Sequence, residues 1–163
     1  MADMAGKHLP ESIEDDRGAL ARHEGGLPAA RTALVHVTPD QLALLDKIRI
    51  EGLEVFANHG VYAEENKLGQ KFVVSLTLYA DLRRAGESDD LDASVDYGAV
   101  AHAADEYLRE HTFKLIEAAA EGLAGVLLRD YPSLFGVRVK IEKPWAPIGL
   151  PLAGVSVEIE RLR

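Results

Sequence analysis

Residues 70–82 read "QKFVVSLTLYADL", with Phe72, Val74, Leu76, Leu78, Ala80 and Leu82 on one parity and Ser75, Thr77 and Asp81 on the other. Successive side chains of a strand point to opposite faces, so this alternation predicts a β-strand with one buried and one polar side. The fold then depends on what pairs with that strand and what covers its apolar face.

Upstream, "KIRIEGLEVFANHG" (47–60) alternates through Ile48 and Ile50, changes phase at Gly52, and resumes with Leu53 and Val55. A glycine at a phase change predicts a β-bulge. The loop "NHGVYAEENKLG" (58–69) joins the two runs as a hairpin with a long tip. Downstream, helical spacing appears twice. Asp96 is placed to cap a helix carrying Val100, Ala103, Ala104, Tyr107 and Leu108. Thr112 is placed to cap a second, with a stripe of Leu115, Ile116, Ala119, Leu123, Val126 and Leu127. Two more alternating runs follow, "VRVKIEK" (137–143) and "GVSVEIERL" (154–162).

The order ββααββ predicts an α+β fold, a four-stranded antiparallel sheet with both helices on one face. Such a sheet has two open edges, and joining them to further copies of the chain is a natural way to satisfy them. Residues 1–45 carry six glycines and prolines between Gly6 and Pro28 with little periodicity, so they read as a flexible N-terminal extension ahead of a domain over 46–163. Within them "TPDQLALLDK" predicts one short helix, with Thr38 as cap and Pro39 at its first position.

Composition narrows the function. The chain has 163 residues, 47% of them hydrophobic, which is enough for one domain with a real core. No apolar run approaches the ~20 residues of a membrane span, and the N-terminus has no apolar signal core. Cysteine is absent, which excludes disulfides, thiolate metal sites and a cysteine nucleophile. A cytoplasmic address is the expectation. A net charge of −9 without a basic cluster argues against nucleic acid.

Four residues could carry chemistry. Continuing Val137, Val139 and Ile141 by one step puts Lys143 on the inner face of its strand, where lysine is rarely found. It either snorkels to solvent or is a partly desolvated amine fit for acid–base work, held by Pro144 and Pro147. Glu117 falls outside the apolar stripe of its helix. It is either an acid favoured near a helix N-terminus or a ligand anchor, and with Glu121 it makes an i, i+4 like-charge pair that calls for a partner. Glu65, beside Glu64, lies in the hairpin loop, and Tyr97 opens the first long helix. His59, His102 and His111 are dispersed without metal-ligand spacing, and there is no phosphate-binding glycine loop.

In order, "HGVYAEENKLGQKFVVSLTLYADL", "DDLDASVDYGAV", "KLIEAAAEGLA" and "VKIEKPWAPI" resemble the dihydroneopterin aldolases over about residues 46–163. The resemblance implies the tunnelling fold, with sheets joined edge to edge into barrels, two tetrameric rings stacked into an octamer, and active sites between subunits. It makes Glu117 the anchor for the pterin 2-amino group and N3–H, and puts Val95, Leu115 and Ile116 around the ring. Lys143 becomes the catalytic lysine and Tyr97 a catalytic tyrosine supplied by a neighbouring subunit. Glu65 organises the polar end of the site, with Glu64 as the alternative one residue away.

The implied reaction splits 7,8-dihydroneopterin into 6-hydroxymethyl-7,8-dihydropterin and glycolaldehyde. The substrate's own N5=C6 imine can accept the electrons of the breaking bond, so no cofactor or metal is expected and the protein manages protons. Epimerisation at C2′ through the same intermediate is an expected side activity. A dihydroneopterin-triphosphate epimerase and a non-catalytic pterin-binding oligomer are the alternatives.

Overall fold

In the computed structural model, which describes residues 38–163, β2 (Gln70–Ala80) is an inner strand of a four-stranded sheet whose strands lie side by side in chain order. Every neighbouring pair is antiparallel. The alternating apolar residues of β2 are buried from Phe72 through Ala80, as their parity predicts. The expected flexible extension lies, up to residue 37, outside the described residues.

β1 (Asp46–Ala57) pairs Ile50 with Leu76 and then Leu53 with Val74, one residue out of step. Gly52 sits in that bulge at φ +73°, a conformation that favours glycine, and its N–H donates to Ser75 Oγ at 3.2 Å. β3 (Gly136–Lys143) sets Val137, Val139 and Ile141 beside Leu78, Leu76 and Val74 of β2. β4 (Val155–Leu162) closes the sheet with Val157 and Ile159 beside Ile141 and Val139.

Two long helices cover this apolar face. α4 (Tyr97–Glu110) lies over β1, burying Val100, Ala104 and Leu108, and the Asp96 carboxylate caps it by accepting from the Ala99 N–H at 2.9 Å. α5 (Ile116–Asp130) lies over β3 and β4. Its buried Ala119, Ala120, Leu123, Ala124 and Leu127 mix small and large side chains, which lets the helix approach the sheet closely.

Thr112 is not the cap of α5. The helix begins at Ile116 with Leu115 as its non-helical neighbour, because Phe113 is tied elsewhere: its carbonyl accepts from the Gly60 N–H and its own N–H donates to His59 Nδ1, just beyond β1. Leu115, placed in the buried stripe by spacing, is consequently half exposed.

Three short α-helices and a 3-10 turn (Leu91–Ala93) complete the described chain. α1 (Pro39–Leu44) forms with Thr38 as cap, in a reciprocal capping box with Gln41, and buries Leu42 with Tyr79 on the sheet face away from α4 and α5. α2 (Ala63–Leu68) occupies the hairpin tip read as loop, and α3 (Arg83–Ser88) follows β2. No described helix is long and apolar enough to cross a membrane.

Candidate active site

Lys143 takes the position its parity assigns. It is the last residue of β3, paired with Val155, and only 12% of its side chain is exposed. Two other polar residues stand on the inner parity at the same end of the sheet. His59 follows Val55 and Ala57 beyond β1, and Gln70 precedes Phe72 in β2; both are buried. The apolar layer between sheet and helices therefore ends in a polar cluster.

Glu65 reaches this cluster from α2, so it is a helical residue rather than a loop acid. Its Oε1 accepts from Lys143 Nζ at 2.5 Å and from Gln70 Nε2 at 3.0 Å, while Oε2 accepts from the Tyr62 N–H at 3.1 Å. Glu64 makes no such contact and is exposed. Asn66 lashes α2 to the strand end, its amide donating to the carbonyls of Asn58 and Gly60 at 2.9 and 3.0 Å. Gly60 adopts φ +152°, and a Cβ there would come within 2.3 Å of Glu65 Oε2. The carboxylate is seated against backbone that any other residue would push away.

This environment sets the charges. Burial by itself would raise the Glu65 pKa, but hydrogen bonds from Lys143, the Tyr62 N–H and Gln70, with the ammonium's charge, outweigh it and hold the carboxyl below its ordinary value. His59 is pushed down to about 4, first by burial and then by the charge of Lys143. Its ring is therefore neutral at neutral pH.

A second wall comes from the start of α5. Leu115, Ile116 and Glu117 line it, and Glu117 in the first helical turn has no side-chain hydrogen-bond partner among the described residues. Glu121, one turn later, is gripped by Arg161 at 2.5 and 3.0 Å. The like-charge pair is resolved by giving Glu121 a cation and leaving the Glu117 carboxylate open.

Between the walls is a cavity of about 580 Å³, also lined by Val61, Tyr62, Lys114, Pro147, Ile148 and Val155. Such a space suits a flat heteroaromatic ring: apolar surfaces for its faces, a free carboxylate for adjacent N–H donors, and an ammonium–carboxylate pair for proton transfer.

The structure thus brings together Glu65, Lys143, Glu117, Leu115 and Ile116. Val95 is buried in the core and Tyr97 is exposed at the start of α4; neither lines this cavity of its own chain. Lys114 and Tyr62 line it without having drawn notice in the sequence, because their placement depends on where α5 and α2 begin. His59 and Gln70 carried a usable signal, the same strand parity that picked out Lys143.

Comparison with known proteins adds a family to this fold. The family model for dihydroneopterin aldolase matches residues 48–160. The chain is 39% identical over 117 residues to the dihydroneopterin aldolase of Bacillus subtilis, covering 72% of this chain and 98% of that protein. It is 42% identical over 120 residues to the corresponding protein of Methylorubrum extorquens, covering 74% and 92%. The crystal structure of Escherichia coli dihydroneopterin aldolase in complex with neopterin superposes with a TM-score of 0.66 at 34% identity, covering 72% of this chain and 99% of that one.

Proposed function

The chain belongs to the dihydroneopterin aldolase family, and from that premise we propose how its cavity performs the reaction. The protein is an aldehyde-lyase of folate biosynthesis that splits 7,8-dihydroneopterin into 6-hydroxymethyl-7,8-dihydropterin and glycolaldehyde. The observation that carries the assignment of roles is one cavity holding the Lys143–Glu65 pair and the uncommitted Glu117 carboxylate.

Glu117 accepts hydrogen bonds from the pterin 2-amino group and N3–H, while Leu115 and Ile116 pack against the ring; Val95, which does not line its own chain's cavity, contributes only to the cavity of a neighbouring subunit. Lys143 serves the side chain. Loss of the 2′-hydroxyl proton lets the C1′–C2′ bond break, its electrons passing into the N5=C6 imine to give an enamine, and C1′ is then reprotonated. Lys143, held by ionised Glu65, stabilises the charge developing near N5 and handles these protons with Tyr97, which comes from a neighbouring subunit. Re-addition of the same enamine, through C1′, to the opposite face of the glycolaldehyde carbonyl would invert C2′, so epimerisation accompanies cleavage. The working form is a homo-octamer of two stacked tetramers in the cytoplasm.

Incubation of purified protein with 7,8-dihydroneopterin, without added metal or cofactor, tests this reading. Glycolaldehyde release at wild-type Lys143 is the expected result. Pterin binding without turnover would leave a binding scaffold, and turnover confined to the triphosphate ester would make the protein an epimerase of that substrate.

A further inference from the structure

The two walls of the cavity come from segments far apart in the chain, and one side chain joins them. His59 is 1% exposed and lies tilted against Phe72 and Phe113, with ring centroids at 5.0 and 5.5 Å. Its Nδ1 accepts from the Phe113 N–H at 3.3 Å, and the next residue, Gly60, donates its N–H to the Phe113 carbonyl at 2.9 Å. Both backbone groups of Phe113 are thereby spent on residues 59 and 60. Two residues beyond Phe113 the second wall begins at Leu115. On its other side, Gly60 packs directly against the Glu65 carboxylate and receives a hydrogen bond from Asn66.

We infer that His59 is a positioning residue, whose Nδ1 clamps the segment before α5 and so sets the spacing between Glu117 and the Lys143–Glu65 pair. This inference rests on the cavity being the pterin site. The geometry demands a neutral ring with its proton on Nε2, since an Nδ1–H would oppose the Phe113 N–H. Burial and the adjacent Lys143 charge both favour that neutral form. The clamp acts at the anchor wall, away from the bond that breaks, so its loss falls on substrate binding more than on chemistry.

Three variants separate these roles. His59→Leu fills the apolar space without an acceptor; His59→Asn places Oδ1 where Nδ1 stands; His59→Gln carries its polar group at the Nε2 position instead. In the His59→Leu enzyme, KM for 7,8-dihydroneopterin should rise about tenfold while kcat changes less than about threefold, the scale of one lost hydrogen bond. Hydrogen–deuterium exchange of peptides spanning residues 111–116 should quicken in parallel. His59→Asn should restore both readouts, and His59→Gln should behave like His59→Leu, supplying the comparison if the leucine variant does not fold. Wild-type KM and exchange in a folded variant lacking the acceptor, or failure of His59→Asn to restore them, would overturn the clamp. Exchange needs no substrate. If the aldolase reading itself is wrong, wild-type turnover is absent while the exchange difference between His59→Leu and His59→Asn persists.

Discussion

Lys143 and Glu117 share a cavity but have different roles in the proposed mechanism, and on those roles their substitutions should separate cleanly. Lys143→Ala removes a group that acts only as charge moves, and it leaves the Glu117 wall in place. Its kcat should fall by about 10²–10⁴-fold while a pterin product still binds, as measured by pre-steady-state turnover alongside equilibrium titration. Glu117→Ala removes two charge-assisted hydrogen bonds to the bound ring, worth about 3 kcal/mol together, so affinity should drop by about a hundredfold. Unchanged affinity would remove Glu117 as the anchor. His59 adds a pH signature. Its folded pKa of about 4 lies below the ordinary 6.5, so the unfolded chain binds the extra proton first. The stabilisation is complete above pH 6.5 and declines as pH falls toward 4, by up to about 3 kcal/mol. The facing charge is Lys143, whose partner Glu65 stays ionised through most of that window because its pKa is lowered. Urea unfolding at several pH values should show wild type losing more stability than His59→Asn between pH 6.5 and 4, and parallel curves would contradict the buried neutral ring.

At the level of elements, the alternating runs could be read directly and the connections could not. Parity placed β1 to β4, the bulge at Gly52 and the inward turn of Lys143, because strand periodicity is a property of the local sequence. Local signals put the start of α5 at Thr112, whereas the bonds that delay it to Ile116 come from His59 and Gly60, more than fifty residues earlier. Nothing local in "HTFKLIE" announces them. Glu65 was legible as a candidate acid, but its meeting with Lys143 depends on α2 and on the glycine-lined seat at residue 60. α1 is the reverse case, its Thr38 cap plain in the sequence and its packing hidden. Leu42 is 1% exposed against Tyr79, beside Gly136 at the far end of β3 from Lys143. Seven strand steps separate those ends, about 23 Å. Leu42→Ala should therefore cost about 2–3 kcal/mol of unfolding free energy, at the low end of buried leucine truncations, with kcat and KM unchanged. A fall in activity at full stability would show that α1 has a role at the site.

The whole molecule has features that a lone protomer leaves unexplained. Among the described residues β1 and β4 each pair on one side only within the sheet, so each offers a free backbone edge there. The sheet face away from α4 and α5 carries an ion-paired ladder, with Arg138 between Glu158 and Glu160, suited to a solvated barrel lining more than to a packed core. Of the residues lining the cavity, Val61, Tyr62, Leu115 and Ile148 are all at least half exposed. Tyr97, assigned to the chemistry, is also exposed and does not line its own chain's cavity. A neighbour joined edge to edge would cover the apolar rim and bring its Tyr97 to this protomer's Lys143. The octamer would weigh eight times the 17.7 kDa protomer, which light scattering can check, but mass alone does not show that sites are shared. Mixed assembly does. Lys143→Ala and Tyr97→Phe should each be nearly inactive alone. If the two variants are unfolded together in equal amounts and refolded, about a quarter of intersubunit sites will draw an intact lysine from one variant and an intact tyrosine from the other. Activity should then return to about a quarter of the wild-type value, whereas separately refolded variants mixed afterwards should stay inactive until subunits exchange. A site built within one chain cannot be rescued in this way, so flat activity across the mixing series would place Tyr97 outside the neighbour's chemistry.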